Sequence, residues 1–237
     1  MKETYMRAPP REKPIIMSGN HPKLILDGLK TMTRRVIKLK GYSKEIWDSC
    51  VPHNGEQAIL LGEPYLKVPY DPVTDNAGNR ILCPYGQVGD RLWVRETWRI
   101  LDDTMRLDDE VRVEYKVGGQ IIKYRYRDIY YNESGIRLPV IESSMKSGKW
   151  KPAHHLPHII SRITLEITDI RVERVQEITL VDIYREGIEN NPMTHWTSHQ
   201  RKFADLWDSI NAKRGYSWEV NPWVWVISFK KIDGVVE

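Results

Sequence analysis

Cysteine and phenylalanine are nearly absent from this 237-residue chain, at two residues each. A pair of cysteines, Cys50 and Cys83, makes neither a disulfide framework nor a paired metal motif. No apolar run approaches the roughly 20 residues that span a bilayer. The start of the chain, Met1 to Lys13, lacks the apolar core of a signal peptide and holds Pro9-Pro10 among charges. It reads as a flexible basic lead-in (residues 1–12), and the expected location is the cytoplasm, with no membrane partner. There is no phosphate-binding P-loop, no G-x-G-x-x-G and no G-x-S-x-G elbow. His154, His155 and His158 cluster in sequence, but Pro157 interrupts the helix on which a spacing of four would share a face. No carboxylate or cysteine nearby completes a zinc set, so neither metal nor cofactor is expected. Internal repeats and low-complexity tracts are also missing.

Tryptophan and tyrosine are plentiful, at 9 and 12 residues, and apolar residues make up 41%. These rings suit core packing and base stacking alike. Net charge is +4, unevenly placed. Residues 1–40 hold ten Lys or Arg against three Asp or Glu, which is +7; the remainder holds 26 against 29, which is −3. A basic N-terminal face on a balanced body fits a polyanionic partner or a merely solubilising surface.

Alternation and punctuation predict a mixed α+β protein. Lys13–Ser18 reads as a strand, followed by a short helix capped at Asn20-His21-Pro22 and stopped at Gly28. Lys30–Ile37 reads as a strand with Lys30, Met32 and Arg34 on one face and Thr31, Thr33 and Arg35 on the other. Residues 41–80 and 128–160 show little periodicity and read as irregular insertions. Arg91–Trp98 reads as a strand with Leu92, Val94, Glu96 and Trp98 on one face. Glu110–Val117 and Gln120–Tyr126 read as a hairpin with a two-residue primed turn at Gly118-Gly119. Arg162–Val175 is a long β-branched strand, Thr179 with Asp182 opens a short helix ending at Gly187, Thr197–Ala212 is amphipathic, and Trp223–Phe229 is apolar on both faces.

The octapeptide Gly28-Leu-Lys-Thr-Met-Thr-Arg-Arg35 carries the chemistry. Cations and hydroxyls beside a helix terminus suit a phosphate or a polar, base-like ligand, and equally describe a charged edge strand protected against aggregation. Gly28-x-Lys30-x-x-Thr33-x-Arg35 resembles the signature of the ASCH superfamily, small barrels related to the PUA domain. The usual form is G-x-K-x-x-E-x-R, and Thr33 replaces its glutamate. That variant is similar to the one in the bacterial N4-acetylcytidine amidohydrolase branch. Cys83-Pro-Tyr-Gly, Gly89–Trp98, Ser161–Asp169 and Asn221-Pro-Trp-Val-Trp-Val226 resemble large ASCH proteins of phages and prophages. The resemblance implies a PUA-like mixed β-barrel with two or three peripheral helices, one domain over residues 13–237 with insertions at about 41–80 and 128–160.

It also implies site residues. A nucleophilic Thr33 requires a base, which Lys30 supplies only if its pKa falls well below about 10.4; Arg34 and Arg35 push it that way. A carboxylate must then serve the leaving amine, and the resemblance points to Glu186. Glu96 competes for that role, or forms a buried ion pair with Arg35 or Arg95. Lys38 and Lys40 with Arg34 and Arg35 would track phosphates, with Trp98 or Tyr85 stacking a base. The expected ligand is a nucleoside, nucleotide or single-stranded RNA, bound in a basic pocket. The alternatives are hydrolysis of an N4-acylated cytosine nucleoside through Thr33, Lys30 and Glu186, and a non-catalytic structural or assembly role in a phage.

Overall fold

The computed structural model describes residues 9–38, 42, 44–54, 64–69, 80–101, 110–125, 128, 148–189 and 195–232. Among them the chain is a mixed α+β protein. Its strands are β1 (Glu12–Ile16), β2 (Met32–Val36), β3 (Val51–His53), β4 (Tyr65–Lys67), β5 (Arg80–Leu82), β6 (Arg91–Arg95), β7 (Trp98–Ile100), β8 (Glu110–Tyr115), β9 (Ile121–Arg125), β10 (Thr164–Arg174) and β11 (Trp223–Ile232). Its α-helices are α1 (His21–Leu26), α2 (Lys44–Ser49), α3 (Leu180–Arg185) and α4 (Trp196–Asn211).

The chain forms two compact units. The first comprises the described residues of Met1–Arg11, Gly28–Asp90 and Glu166–Lys230; the second those of Glu12–Asp27, Arg91–Leu165 and Lys231–Glu237.

In the first unit β10, β11 and β2 are neighbours in that order. β2 runs antiparallel to β11, with Arg34 opposite Val226 and Thr33 opposite Ile227. Val224 and Val226 of β11 join Met32, Val175, Ile178, Ile183, Phe203 and Trp207 in one buried cluster. The amphipathic pattern of α4 is realised at Phe203 and Trp207, whereas Ile210, on the same predicted stripe, is 39% exposed. The helix ends at Asn211, and the Trp207 indole N–H donates to the Tyr216 carbonyl at 2.8 Å, which ties the exit loop to the core. Full burial of one such ring stabilises by about 1.5–3 kcal/mol.

The stretch 41–80 is not structureless where it is described. It carries α2, and β3, β4 and β5 form an antiparallel sheet with Leu66 paired to both Pro52 and Ile81. Strands of three residues are too short to print a period of two.

In the second unit β1 pairs parallel to β6, and β7, β8 and β9 form an antiparallel sheet. Arg91–Trp98 is thus two strands, with a break at Glu96-Thr97 where the backbone changes partners from β1 to β8. Leu92, Val94, Glu96 and Trp98 are all buried, as the alternation predicts. The β8–β9 hairpin forms, with positive φ at Gly118 (80°) and Gly119 (60°). Its loop is four residues rather than two, because Tyr115 N–H closes it on Gln120 O and Lys116 N–H donates instead to Thr97 O. Within 128–160, Asp128 and residues 148–160 are described, with two 3-10 turns at Ala153–His155 and His158–Ile160. Leu156 and Ile160 drop from these turns into the core formed by Trp98, Ile100, Val111, Val113 and Tyr115.

Candidate functional site

The motif is positioned from both ends. Gly28 takes φ 72°, the left-handed conformation that lets the chain leave α1. Thr31 N–H then donates to Arg185 O at the end of α3, and Thr31 O accepts from Phe229 N–H of β11, both at 2.9 Å. These two bonds fix the approach to β2, so Lys30 precedes the strand rather than opening it.

Lys30 is buried to 1% exposure. Its ammonium donates to Glu186 Oε2 at 2.5 Å and to the Glu186 carbonyl at 2.8 Å. Glu186 caps the C-terminus of α3, where main-chain carbonyls lack helical partners and attract a cation. Burial pulls the Lys30 ammonium below its usual value; Glu186 opposes this, and Arg35 and Arg34 reinforce it. The like-charge effect expected of the two arginines is present, and desolvation is the larger cause.

Arg34 reaches the same carboxylate. Its Nη1 lies 3.4 Å from Glu186 Oε1, and its Nη2 contacts Glu173 Oε1 at 2.5 Å and Asp182 Oδ2 at 2.8 Å. Arg171 closes the network through Glu173 Oε2 at 2.9 Å and Asp182 Oδ2 at 2.6 Å. Arg34 is therefore buried and paired with protein carboxylates. Glu173, Asp182 and Arg171 were not legible as members of the site. The one local clue was Asp182, whose amide also takes the Thr179 hydroxyl as its N-cap acceptor at 3.2 Å.

Thr33 follows on β2, 4% exposed. Arg35 is half-buried and sits in electrostatic range of Tyr85, Glu186 and Arg214. Burial lowers its guanidinium below the usual value, Tyr85 and Glu186 oppose, and Arg214 adds to the lowering. Arg214 is exposed and anchored on the end of α4 through Asn211 Oδ1 at 2.6 Å and Ile210 O at 3.0 Å. Tyr85 is presented by the Cys83–Gly86 turn. There Gly86 is required: a Cβ would stand 2.7 Å from Asp90 Oδ2, a buried carboxylate that pairs with Arg11 at 3.4 Å. Lys38 is exposed beyond β2, and Lys40 lies outside the described residues.

The second unit holds the other two candidates. Glu96, 1% exposed, takes a bidentate contact from Arg162, Nε to Oε1 at 2.8 Å and Nη2 to Oε2 at 2.6 Å. The expected partners Arg35 and Arg95 are replaced by Arg162, whose guanidinium also donates to Val117 O and stacks 4.4 Å over Tyr115. Arg95 instead lies 4.5 Å over the Trp93 ring. Glu96 and Thr97 line a cavity of about 470 Å³ with Met17, Asn20, Lys116 and Val117. Trp98 has no exposed surface and packs within the core.

The histidines serve other ends. The rings of His154 and His155 lie 4.1 Å apart, and His158 contacts Glu12 at 3.1 Å and tilts against Trp93. Among the described residues no group of three or more His, Cys, Asp or Glu is placed to hold a metal ion, and Cys50 and Cys83 are not joined in a disulfide. No described helix is long and apolar enough to cross a membrane.

No family model matches the chain, and no curated protein matches it. Among solved structures it is similar to one titled "High resolution crystal structure of ASCH domain from Lactobacillus crispatus JV V101". The likeness covers 93% of this chain and 79% of that one, at 13% identity and a TM-score of 0.36.

Proposed function

We propose that the first unit binds a nucleotide or single-stranded nucleic acid, with Arg35, Tyr85 and Arg214 as the contact surface and the Lys30–Glu186 pair beside it. The observation that carries this reading is that Arg35 lies within electrostatic range of Tyr85 and Arg214, which come from two other stretches of chain. Guanidinium groups take phosphate oxygens in bidentate fashion, and a phenol ring offers a face to an unstacked base. The motif resemblance to the ASCH superfamily and its PUA-like barrel supports the same reading. The test is binding of a short fluorescent single-stranded RNA. Arg35→Ala is expected to weaken it roughly tenfold and Tyr85→Leu by a similar factor. Unchanged affinity in both variants would contradict the proposal.

A second reading, amide hydrolysis at an N4-acylated cytosine, is favoured by the Lys30–Glu186 contact. Two residues 156 positions apart, singled out by their resemblance to the amidohydrolase branch, meet at 2.5 Å with a lowered ammonium pKa. In that reaction Lys30 in its neutral form takes the Thr33 proton, the Thr33 oxygen attacks the acyl carbon, a protonated Glu186 gives its proton to the departing amine, and water then cleaves the acyl-Thr33 ester to release the acid and restore the hydroxyl. Incubation with N4-acetylcytidine decides it. Cytidine release that disappears in Thr33→Ala supports hydrolysis, and an unchanged rate in that variant removes Thr33 as nucleophile.

A further inference from the structure

Away from the Lys30 network, the first unit holds a cavity of about 650 Å³ lined by Tyr42, Trp47, Asp48, Arg174, Glu219 and Val220. None of these residues takes part in the network around Glu186, and the volume falls within the range of small-molecule sites. Tyr42, Trp47 and the 46% exposed Val220 supply the apolar and aromatic part of its lining. Its charged lining is Asp48, Glu219 and Arg174, a net −1, with Asp48 paired to Arg174 at 3.1 Å.

That cation is turned toward the protein. Arg174 stacks 4.2 Å over Trp223 and donates to Asn221 O, Trp47 O and Asp48 Oδ1 at 3.0, 3.0 and 3.1 Å. The same contacts hold the walls in place. Trp47 O also accepts the Trp223 indole N–H at 2.7 Å, which fixes the end of α2, and the Trp47 ring lies parallel to Tyr216 with centroids 5.8 Å apart. Asn221, next to Val220, is kept at φ 48° while its side chain accepts Gln176 N–H at 3.0 Å. A left-handed non-glycine residue persists where its surroundings over-determine it. The walls are therefore set before any ligand arrives, which reduces the ordering cost of binding.

We infer that this cavity is a binding site for a small organic cation, an alkyl- or aryl-ammonium whose charge meets the Trp47 and Tyr42 rings and the Asp48 and Glu219 carboxylates. A cation over an indole face is attracted by the ring quadrupole, and two rim carboxylates add to the attraction while disfavouring anions. The apolar body of such a ligand covers Val220.

The test uses choline and its neutral carbon analogue, dimethylbutanol, titrated calorimetrically into the full chain. Choline is expected to bind at least roughly tenfold tighter than the analogue, since only the charge differs. Trp47→Leu is expected to weaken choline binding by a similar factor. Glu219→Gln, a change at an exposed position that leaves the fold undisturbed, is expected to weaken it several-fold without affecting the analogue. Equal binding of choline and dimethylbutanol, no choline binding by a folded protein, or unchanged affinity in both variants would each overturn the inference. Retention of RNA binding in the Trp47 and Glu219 variants would show that this cavity and the Arg35 surface are separate sites.

Discussion

In the first unit, Lys30, Arg34 and Arg171 are held by three carboxylates that are shared among them, whereas in the second Glu96 is held, among the described residues, by the one cation Arg162. A shared network keeps partial compensation when one member leaves. A closed bidentate pair has no reserve. The comparison separates a cluster whose members back one another from a pair that locks a strand junction, although the buried carboxylates look alike in sequence.

The largest effect is expected where the pair is closed. Arg162→Met strands Glu96 in the core and should lower stability by about 3–5 kcal/mol in denaturant unfolding, while adding Glu96→Leu should restore more than half of that loss. A small effect of the single change would erase the contrast between the units. Arg34→Met should cost less, roughly 2 kcal/mol, because Arg171 still reaches Glu173 and Asp182 and Lys30 still reaches Glu186. A loss as large as that of Arg162→Met would mean that the sharing is not protective.

Acid sensitivity sharpens the same contrast. Burial alone would raise the Asp182 carboxyl, but Arg34 and Arg171 outweigh it and hold the group below its usual value. Its contribution to stability is therefore complete above about pH 3.9 and is lost as pH falls through the lowered value. Asp182→Asn should flatten the unfolding free energy in that window. Glu96 runs the other way: burial lifts its carboxyl and Arg162 offsets this only in part. Its contribution is complete below about pH 4.3 and declines as pH rises through the raised value, so Glu96→Gln should remove a decline rather than a gain. The smallest effect concerns Cys50. Burial pushes its thiol up to about 11, so alkylation at pH 8 should be slow in the folded protein and fast once it is unfolded.

Local features were legible in the sequence because their causes are local. Gly28 ends α1, the Gly118-Gly119 pair turns the hairpin, and Thr179 with Asp182 opens α3. Long-range partners left no such trace. Arg34 and Glu173 are 139 residues apart and Glu96 and Arg162 are 66 apart, and no periodicity connects them. The Glu96-Thr97 break was hidden inside one alternating run, since both β6 and β7 bury the same face. Trp98 illustrates a different gap: ring chemistry suits stacking and core packing equally, and its complete burial decides for the core.

The most direct test of the central claim is the salt dependence of RNA binding. The logarithm of the affinity for a short single strand should fall linearly with the logarithm of salt concentration. Arg35→Ala and Arg214→Ala should each reduce that slope by about 0.7, one phosphate contact apiece, while Arg34→Met leaves it unchanged. A slope unaltered by the Arg35 and Arg214 changes, or one reduced only by the Arg34 change, would contradict the account.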